Sequence, residues 1–353
     1  SWPRSMISAS EVAYSHKPPA SAAAAVADRR LRLRAGALSL GLAIAIFAAK
    51  FIAYRLTNST AILSDALESV VNIVAATFTL ASLAIASRPA DESHPYGHGK
   101  VEFLSSGFEG GLIAFAALLI VYQAAEALWL GRELAALDVG LALVIAAGIA
   151  NALLGYFLVR VGRRSHSPAI EADGLHVLSD FWTSFAVVVA LGLVWVSGWQ
   201  ILDPLVAIAV GTNLALVGAR LLRGAVGGLL DESDPVLLSK VAAAMHAARR
   251  PGIIAVHRLR AIRSGGTAHV DAHLVVPRFW SVSQAHETAN RFEEDVRQQV
   301  AQNIDFIFHI DPCREVYCQG CQVEPCPVRG HEFAEDRHWS LPALTAEPPA
   351  DSI

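Results

Sequence analysis

Gly110-Gly-Leu-Ile-Ala-Phe-Ala-Ala-Leu-Leu-Ile-Val-Tyr-Gln123 and Val139-Gly-Leu-Ala-Leu-Val-Ile-Ala-Ala-Gly-Ile-Ala150 contain no charged residue. As helices they are apolar all round and leave no face for water, the pattern of a membrane span rather than of a soluble bundle. A span needs about 20 such residues. Six stretches qualify, at about 36–55, 61–86, 107–130, 136–160, 174–197 and 201–222. Several are rich in Gly, Ala and Ser, which lets helix backbones approach closely in lipid. Only 17% of the 353 residues are charged, against about 25% in soluble domains. That deficit is concentrated between residues 36 and 222, while residues 231–353 have an ordinary soluble composition. The expected order is a disordered tail (1–34), a six-span membrane domain (35–230), an α+β domain (231–312) and a cysteine-rich tail (313–353). The apolar patch Ala22 to Ala27 is too short for the hydrophobic core of a signal peptide. A net charge of −4 with no basic stripe gives no reason to expect nucleic-acid binding.

Basic residues near the span ends set the orientation. Arg29, Arg30, Arg32, Arg34, Arg88, Lys100, Arg160, Arg163, Arg164, Arg220 and Arg223 fall on one side, and Lys50, Arg55 and Arg132 on the other. Eleven against three puts both termini and the 88–106 loop in the cytoplasm of a cell bounded by an inner or plasma membrane. An even number of spans requires the same.

Within the spans, two segments break the apolar pattern. Span 2 carries Asp65, Glu68 and Asn72 at i, i+3 and i+7, one helical face; span 5 carries His176 and Asp180 at i and i+4. A charge at the centre of a span costs about 2.5–3.5 kcal/mol even on lenient scales, so such residues usually mark an ion path. If the two faces meet, oxygen and nitrogen donors converge in a set that suits a four-coordinate divalent ion such as zinc. The competing reading is that these residues only pair and hold the helices together. Asp173, one turn before His176, is placed at the mouth of this site. Glu109 and Glu126, in span 3, have no partner that the sequence identifies. A second constellation lies in the loop, where Asp91, His94 and His98 fall within eight residues, close enough for a turn to fold around one metal.

These features together resemble the cation diffusion facilitator (cation efflux) family. Six spans, the polar face of span 2, His94-Pro-Tyr-Gly-His98-Gly-Lys100 in the loop and His176-x-x-x-Asp180 in span 5 stand in the family's order. The chain is similar to bacterial zinc- and iron-transporting members over 30–312. The resemblance implies a homodimer with a cytoplasmic C-terminal domain, exchanging metal for protons by alternating access. It implies a transport site of Glu68, Asn72, His176 and Asp180, with Asp65 one turn away. Here span 2 departs from the zinc transporters, which usually have Asp or His at the place of Glu68 and Asp at the place of Asn72. A neutral amide is a weaker ligand than a carboxylate. Zinc is the first expectation, with iron, cobalt, nickel, cadmium and manganese open. The family's loop metal site maps onto Asp91, His94 and His98, and its interfacial Lys–Asp pair onto Lys100 and Asp231. A ligand His must be neutral and a ligand acid ionised, so metal and protons compete for one site.

Residues 234–312 read as helix, strand, strand, helix, strand, a ferredoxin-like αββαβ unit. The expected elements are a helix from Pro235 to Arg249, strands 252–262 and 267–276 around Ser264-Gly-Gly266, a Ser-capped helix 283–301 and a strand 305–310. By resemblance, His257, His273, His286, His309 and Asp311 are metal ligands of this domain; the runner-up is a dimer interface without metal. His269, Asp271 and His273 share one strand face. The tail holds all four cysteines, Cys313, Cys318, Cys321 and Cys326, spaced C-x4-C-x2-C-x4-C and followed by His331. In a reducing cytoplasm clustered thiols favour metal over disulfide, and four Cys suit a tetrahedral thiolate site. Residues 340–353 read as disordered. Two other functional classes remain: a membrane metallohydrolase, which lacks an HExxH-type motif, and a metal sensor or scaffold that moves no ion.

Overall fold

The computed structural model describes residues 22–57, 60–130, 140–300, 303–336 and 338–348. Six long helices come first: α1 Ala22–Thr57, α2 Thr60–Ala86, α3 Val101–Leu130, α4 Gly140–Ser165, α5 Pro168–Ser197 and α6 Leu202–Leu229. Among the described residues, α1, α2, α3, α5 and α6 are long and apolar enough to cross a membrane. The 26 residues of α4 extend about 39 Å at ~1.5 Å per residue; the start of its expected span lies outside the described residues. The outside of the bundle is apolar. Phe115, Leu118 and Leu153 are more than three-fifths exposed, which lipid tolerates and water does not.

The helices pack on small residues. On α6, a Cβ at Gly218 would sit 2.8 Å from the Gly110 carbonyl of α3, and on α5 a Cβ at Gly174 would sit 2.6 Å from the Val159 nitrogen of α4. Packing gains in lipid come from such close approach, because lipid tails are as apolar as Leu. Helix α5 starts where the sequence stops it from starting earlier. Ser167 caps it, accepting from the Ile170 N–H, and Pro168 follows at the first helical position.

Helix α1 begins at Ala22, inside the segment expected to be a disordered tail. Ala, Arg and Leu are strong helix formers, and Asp28 pairs with Arg32 one turn on at 3.2 Å. Helix propensity and the pull of the adjoining span outweigh the low complexity.

The C-terminal domain is α7 Pro235–Ala247, β1 Ala255–Ser264, β2 Thr267–Val276, α8 Val282–Val300 and β3 Ile304–Pro312. The strands lie in the order β1-β2-β3, β1 antiparallel and β3 parallel to β2. Register puts His257 opposite His273 and His273 opposite His309, so three histidines form one row across the sheet. Helices α7 and α8 cover the sheet with an apolar core including Leu237, Met245, Leu274 and Phe292. On α8 the buried residues are Ala285, Ala289, Phe292, Val296 and Val300, a stripe at helical spacing. Its cap is Ser281 rather than the expected residue nearer Ser283. Ser281 Oγ accepts from the Gln284 N–H at 3.3 Å, and Gln284 Oε1 accepts from the Ser281 N–H at 3.0 Å, a reciprocal capping box.

The end of the chain is also more ordered than its composition suggests. A short helix, α9 Leu341–Thr345, follows a Ser340 cap. Trp339 and Leu344 are buried in the domain core, and the Arg258 N–H donates to the Ala346 carbonyl at 3.0 Å. Two large apolar side chains anchor a segment that is otherwise Pro and Ala rich. Between the two domains the backbone comes very close: a Cβ at Gly99 would sit 2.1 Å from the Ser264 carbonyl oxygen. Lys100 Nζ donates to Asp231 Oδ2 at 2.8 Å alongside.

Candidate metal centres

Helices α2 and α5 meet at Asn72, His176 and Asp180. Asn72 Nδ2 donates to Asp180 Oδ2 at 2.6 Å, and Asn72 Oδ1 lies 3.2 Å from His176 Nε2. The faces inferred from spacing therefore do converge. Asp65 and Glu68 stand on the first turns of α2, and their side chains lie outside the described residues. Behind His176 stands a residue for which the sequence offered no partner. Glu109, fully buried on α3, places Oε2 3.5 Å from His176 Nδ1. Its other oxygen accepts from Thr79 Oγ1 at 3.1 Å, and Thr79 lies 3.2 Å from Ser105. The one signal for Glu109 was a carboxylate in an otherwise apolar span; its pairing depends on how α3 packs on α5, which periodicity does not encode.

Asp173 does not lie at an open mouth. It is 1% exposed and hydrogen-bonded to Ser39 of α1. Four buried or half-buried polar residues, Asp180, Asn72, His176 and Glu109, thus form one chain of contacts through the bundle, with Asp173 a turn away.

The loop between α2 and α3 brings Asp91, His94 and His98 together. Asp91 Oδ1 lies 3.2 Å from His94 Nδ1, and Asp91 Oδ2 lies 3.4 Å from His98 Nε2. The two rings are 4.4 Å apart. Hydrogen bonds from the Ser93 hydroxyl and the His94 N–H hold the Asp91 carboxyl down at about 2, so it is ionised at neutral pH. Two imidazoles and a carboxylate, all within 4.8 Å of one another, match the donor set of a zinc-type site.

On the sheet, Asp311 at the end of β3 gathers the histidine row. Its Oδ2 lies 2.9 Å from His273 Nδ1 and 3.3 Å from His257 Nε2, and its Oδ1 lies 3.2 Å from His309 Nε2. Burial holds the His257 ring below its ordinary value, although Asp311 pulls the other way. A neutral ring is the ligand form. The other residues named for this domain go elsewhere. His286 sits exposed on α8, 3.1 Å from Asn290 Nδ2. Asp271 pairs with Arg260 at 3.0 Å, and His269 approaches Asp305 at 3.4 Å. Sharing a strand face with His273 does not bring them into the cluster. Beyond β3, the four cysteines are free thiols lining one cavity. Burial pushes the Cys313 thiol up, and the charges of the other three push the same way.

Comparison with known proteins separates the chain into the same two parts. Residues 37–230 match the family described as cation efflux transmembrane domain, and residues 234–313 match the cation efflux protein cytoplasmic domain. An uncharacterized transporter of Synechocystis sp. is 38% identical over 257 residues, 72% of this chain and 83% of its own length. The cation-efflux pump FieF of Pectobacterium atrosepticum is 32% identical over 271 residues, 77% of this chain and 89% of its own. FieF of Salmonella newport is 31% identical over 280 residues, 79% and 92% of the two chains. Membrane domain and sheet domain agree with these matches: the chain belongs to the cation efflux (cation diffusion facilitator) family.

Proposed function

We propose that this transporter exchanges a divalent metal ion for protons, binding the ion between α2 and α5 with Glu68, Asn72, His176 and Asp180, with Asp65 one turn away. The observation that carries the reading is the contact of Asn72 with both His176 and Asp180 inside the bundle. Asn72 offers an amide oxygen, Asp180 a carboxylate and His176 its Nε2. Glu109 explains how the site tolerates an amide in place of a carboxylate. A carboxylate behind the far nitrogen of a ligand His orients the ring, fixes the proton on that nitrogen and raises the basicity of the metal-facing one. It also returns the negative charge that Asn72 does not supply. With the ion bound, Nδ1 carries the proton toward Glu109 and Nε2 faces the ion; without the ion, Nε2 carries a proton to the Asn72 amide oxygen. The two compete, and that competition is the coupling.

Zinc is the ion this mixed imidazole and oxygen set suits first; iron, cobalt, nickel, cadmium and manganese are the alternatives. The asymmetry of basic residues supports cytoplasmic termini, and the C-terminal family match supports a homodimer. Asp91, His94 and His98 in the loop, and His257, His273, His309 and Asp311 on the sheet, would hold resident ions that set the posture of the cytoplasmic domain. The test is uptake of each of the six ions into vesicles containing the purified protein, for wild type and Asn72→Asp. The proposal expects zinc uptake that is lost in Asp180→Ala and an ion preference that changes with Asn72→Asp. Equal uptake in wild type and Asp180→Ala would place the ion path elsewhere.

A further inference from the structure

The tail runs past both family matches, the second of which ends at residue 313. Between Cys313 and residue 336 the only regular element among the described residues is the 3-10 turn Glu315–Gly320. Yet the segment is seated. Cys321 and Tyr317 are buried against Ile254, Ala255 and Val275. The Ala334 and Glu335 N–H groups donate to the Gln319 carbonyl at 2.8 and 3.2 Å. Arg329 donates to the carbonyls of Cys321 and Val323 at 3.3 and 2.8 Å. A segment with so few backbone ladders and so small an apolar core ordinarily needs a cross-link to stay folded.

We propose that Cys313, Cys318, Cys321 and Cys326 form a tetrathiolate site for a zinc ion that fastens this tail to the cytoplasmic domain. All four thiols line one cavity. The Arg278 N–H donates to Cys313 Sγ at 3.4 Å, and the Gly330 N–H donates to Cys318 Sγ at 3.4 Å. Backbone donors aimed at sulfur are the outer partners that stabilise thiolate charge in metal centres. Four thiolates around a divalent ion leave two negative charges, and Arg278, Arg314 and Arg329 line the same cavity against one acid, Glu315. Binding releases the four thiol protons to solvent and changes no oxidation state. Four sulfurs of this cavity, drawn by an ion into a tetrahedral array, would select zinc among the common divalent ions. Cys313 lies two residues beyond Asp311, and its N–H donates to the Val276 carbonyl at 2.8 Å. The tail site is therefore coupled through the backbone to the histidine row.

The site does not depend on the transport reading, and its test avoids transport. Full-length protein is purified in detergent under reducing conditions and loaded with zinc, and its thiols are titrated with a disulfide reagent before and after a strong chelator. The expected result is four thiols protected with zinc and four reactive without it. Cobalt in place of zinc should give a thiolate-to-cobalt charge-transfer absorption, which histidine and carboxylate sites do not produce. That absorption should be lost in Cys318→Ser/Cys321→Ser. If that variant fails to fold, the wild-type titration and cobalt spectrum decide. Thiols that react freely in zinc-loaded protein, disulfides between them, or the visible absorption of an iron–sulfur cluster would overturn the assignment.

Discussion

At the scale of single residues, the proposed transport site turns on Glu109 and Asn72. His176 and Asp180 on one helix, and Asn72 on another, were legible because helical spacing puts each set on one face; that the faces meet at Asn72 comes from the packing of α2 on α5. Glu109 was visible only as an unexplained charge in span 3, since its partner is on another helix. If it orients His176, Glu109→Gln should weaken metal binding at the membrane site by about 10–100-fold, the usual cost of losing an outer partner of a ligand His. Zinc titration of the detergent-solubilised protein, with the loop, sheet and cysteine-tail sites removed by substitution, measures it; unchanged affinity would make Glu109 a packing residue. Asn72→Asp should move affinity the other way, because it adds a carboxylate without changing the side chain's reach.

At the scale of elements, strand parity placed His269, Asp271 and His273 on one face correctly. It did not reveal the row His257–His273–His309, because register between strands is set by the bulge after His257 and by packing. The ordered tail escaped for a related reason: Trp339 and Leu344 are held by partners distant in sequence. The start of α7, by contrast, rests on local chemistry. Asp234 caps α7 through the Val236 and Leu237 N–H groups at 2.9 and 3.0 Å and pairs with Arg263. Asp234→Ala should cost about 1–2 kcal/mol of domain stability. Burial pushes the Asp234 carboxyl up, but the two N–H groups and Arg263 outweigh it and hold it below its ordinary value. Its folded form therefore binds fewer protons than its unfolded form. The stabilisation is present above the ordinary carboxylate value, about 3.9, and is lost as pH falls through the folded one. Denaturant unfolding at pH 7 and pH 3 should show the gap between wild type and Asp234→Ala narrowing at the lower pH.

For the whole molecule, the question is how the C-terminal domain communicates with the bundle. Glu102, buried at the start of α3, joins three elements: Arg32 of α1 donates to it at 2.8 Å, and the Ser167 cap of α5 donates to its other oxygen. The β1–β2 turn at Gly265–Gly266 packs on Glu102 and Arg32. Through Glu102 and its bond from Ser167, the turn is linked to the base of the helix that carries His176 and Asp180. Gly99→Val would force the Ser264 carbonyl away and should loosen this junction, raising protease sensitivity around residues 231–234 while leaving the isolated sheet core intact. Unchanged digestion would argue that the junction is not set by this approach.

Competition of metal and protons at the Asn72–His176–Asp180 site is the proposed source of coupling. The most direct measurement follows zinc entry and proton exit together, with one dye for each, in the same vesicles. Wild type should show coupled opposite fluxes, His176→Ala should lose both, and zinc uptake should collapse when the proton gradient is removed. Zinc uptake indifferent to the gradient, or unchanged in His176→Ala, would contradict it.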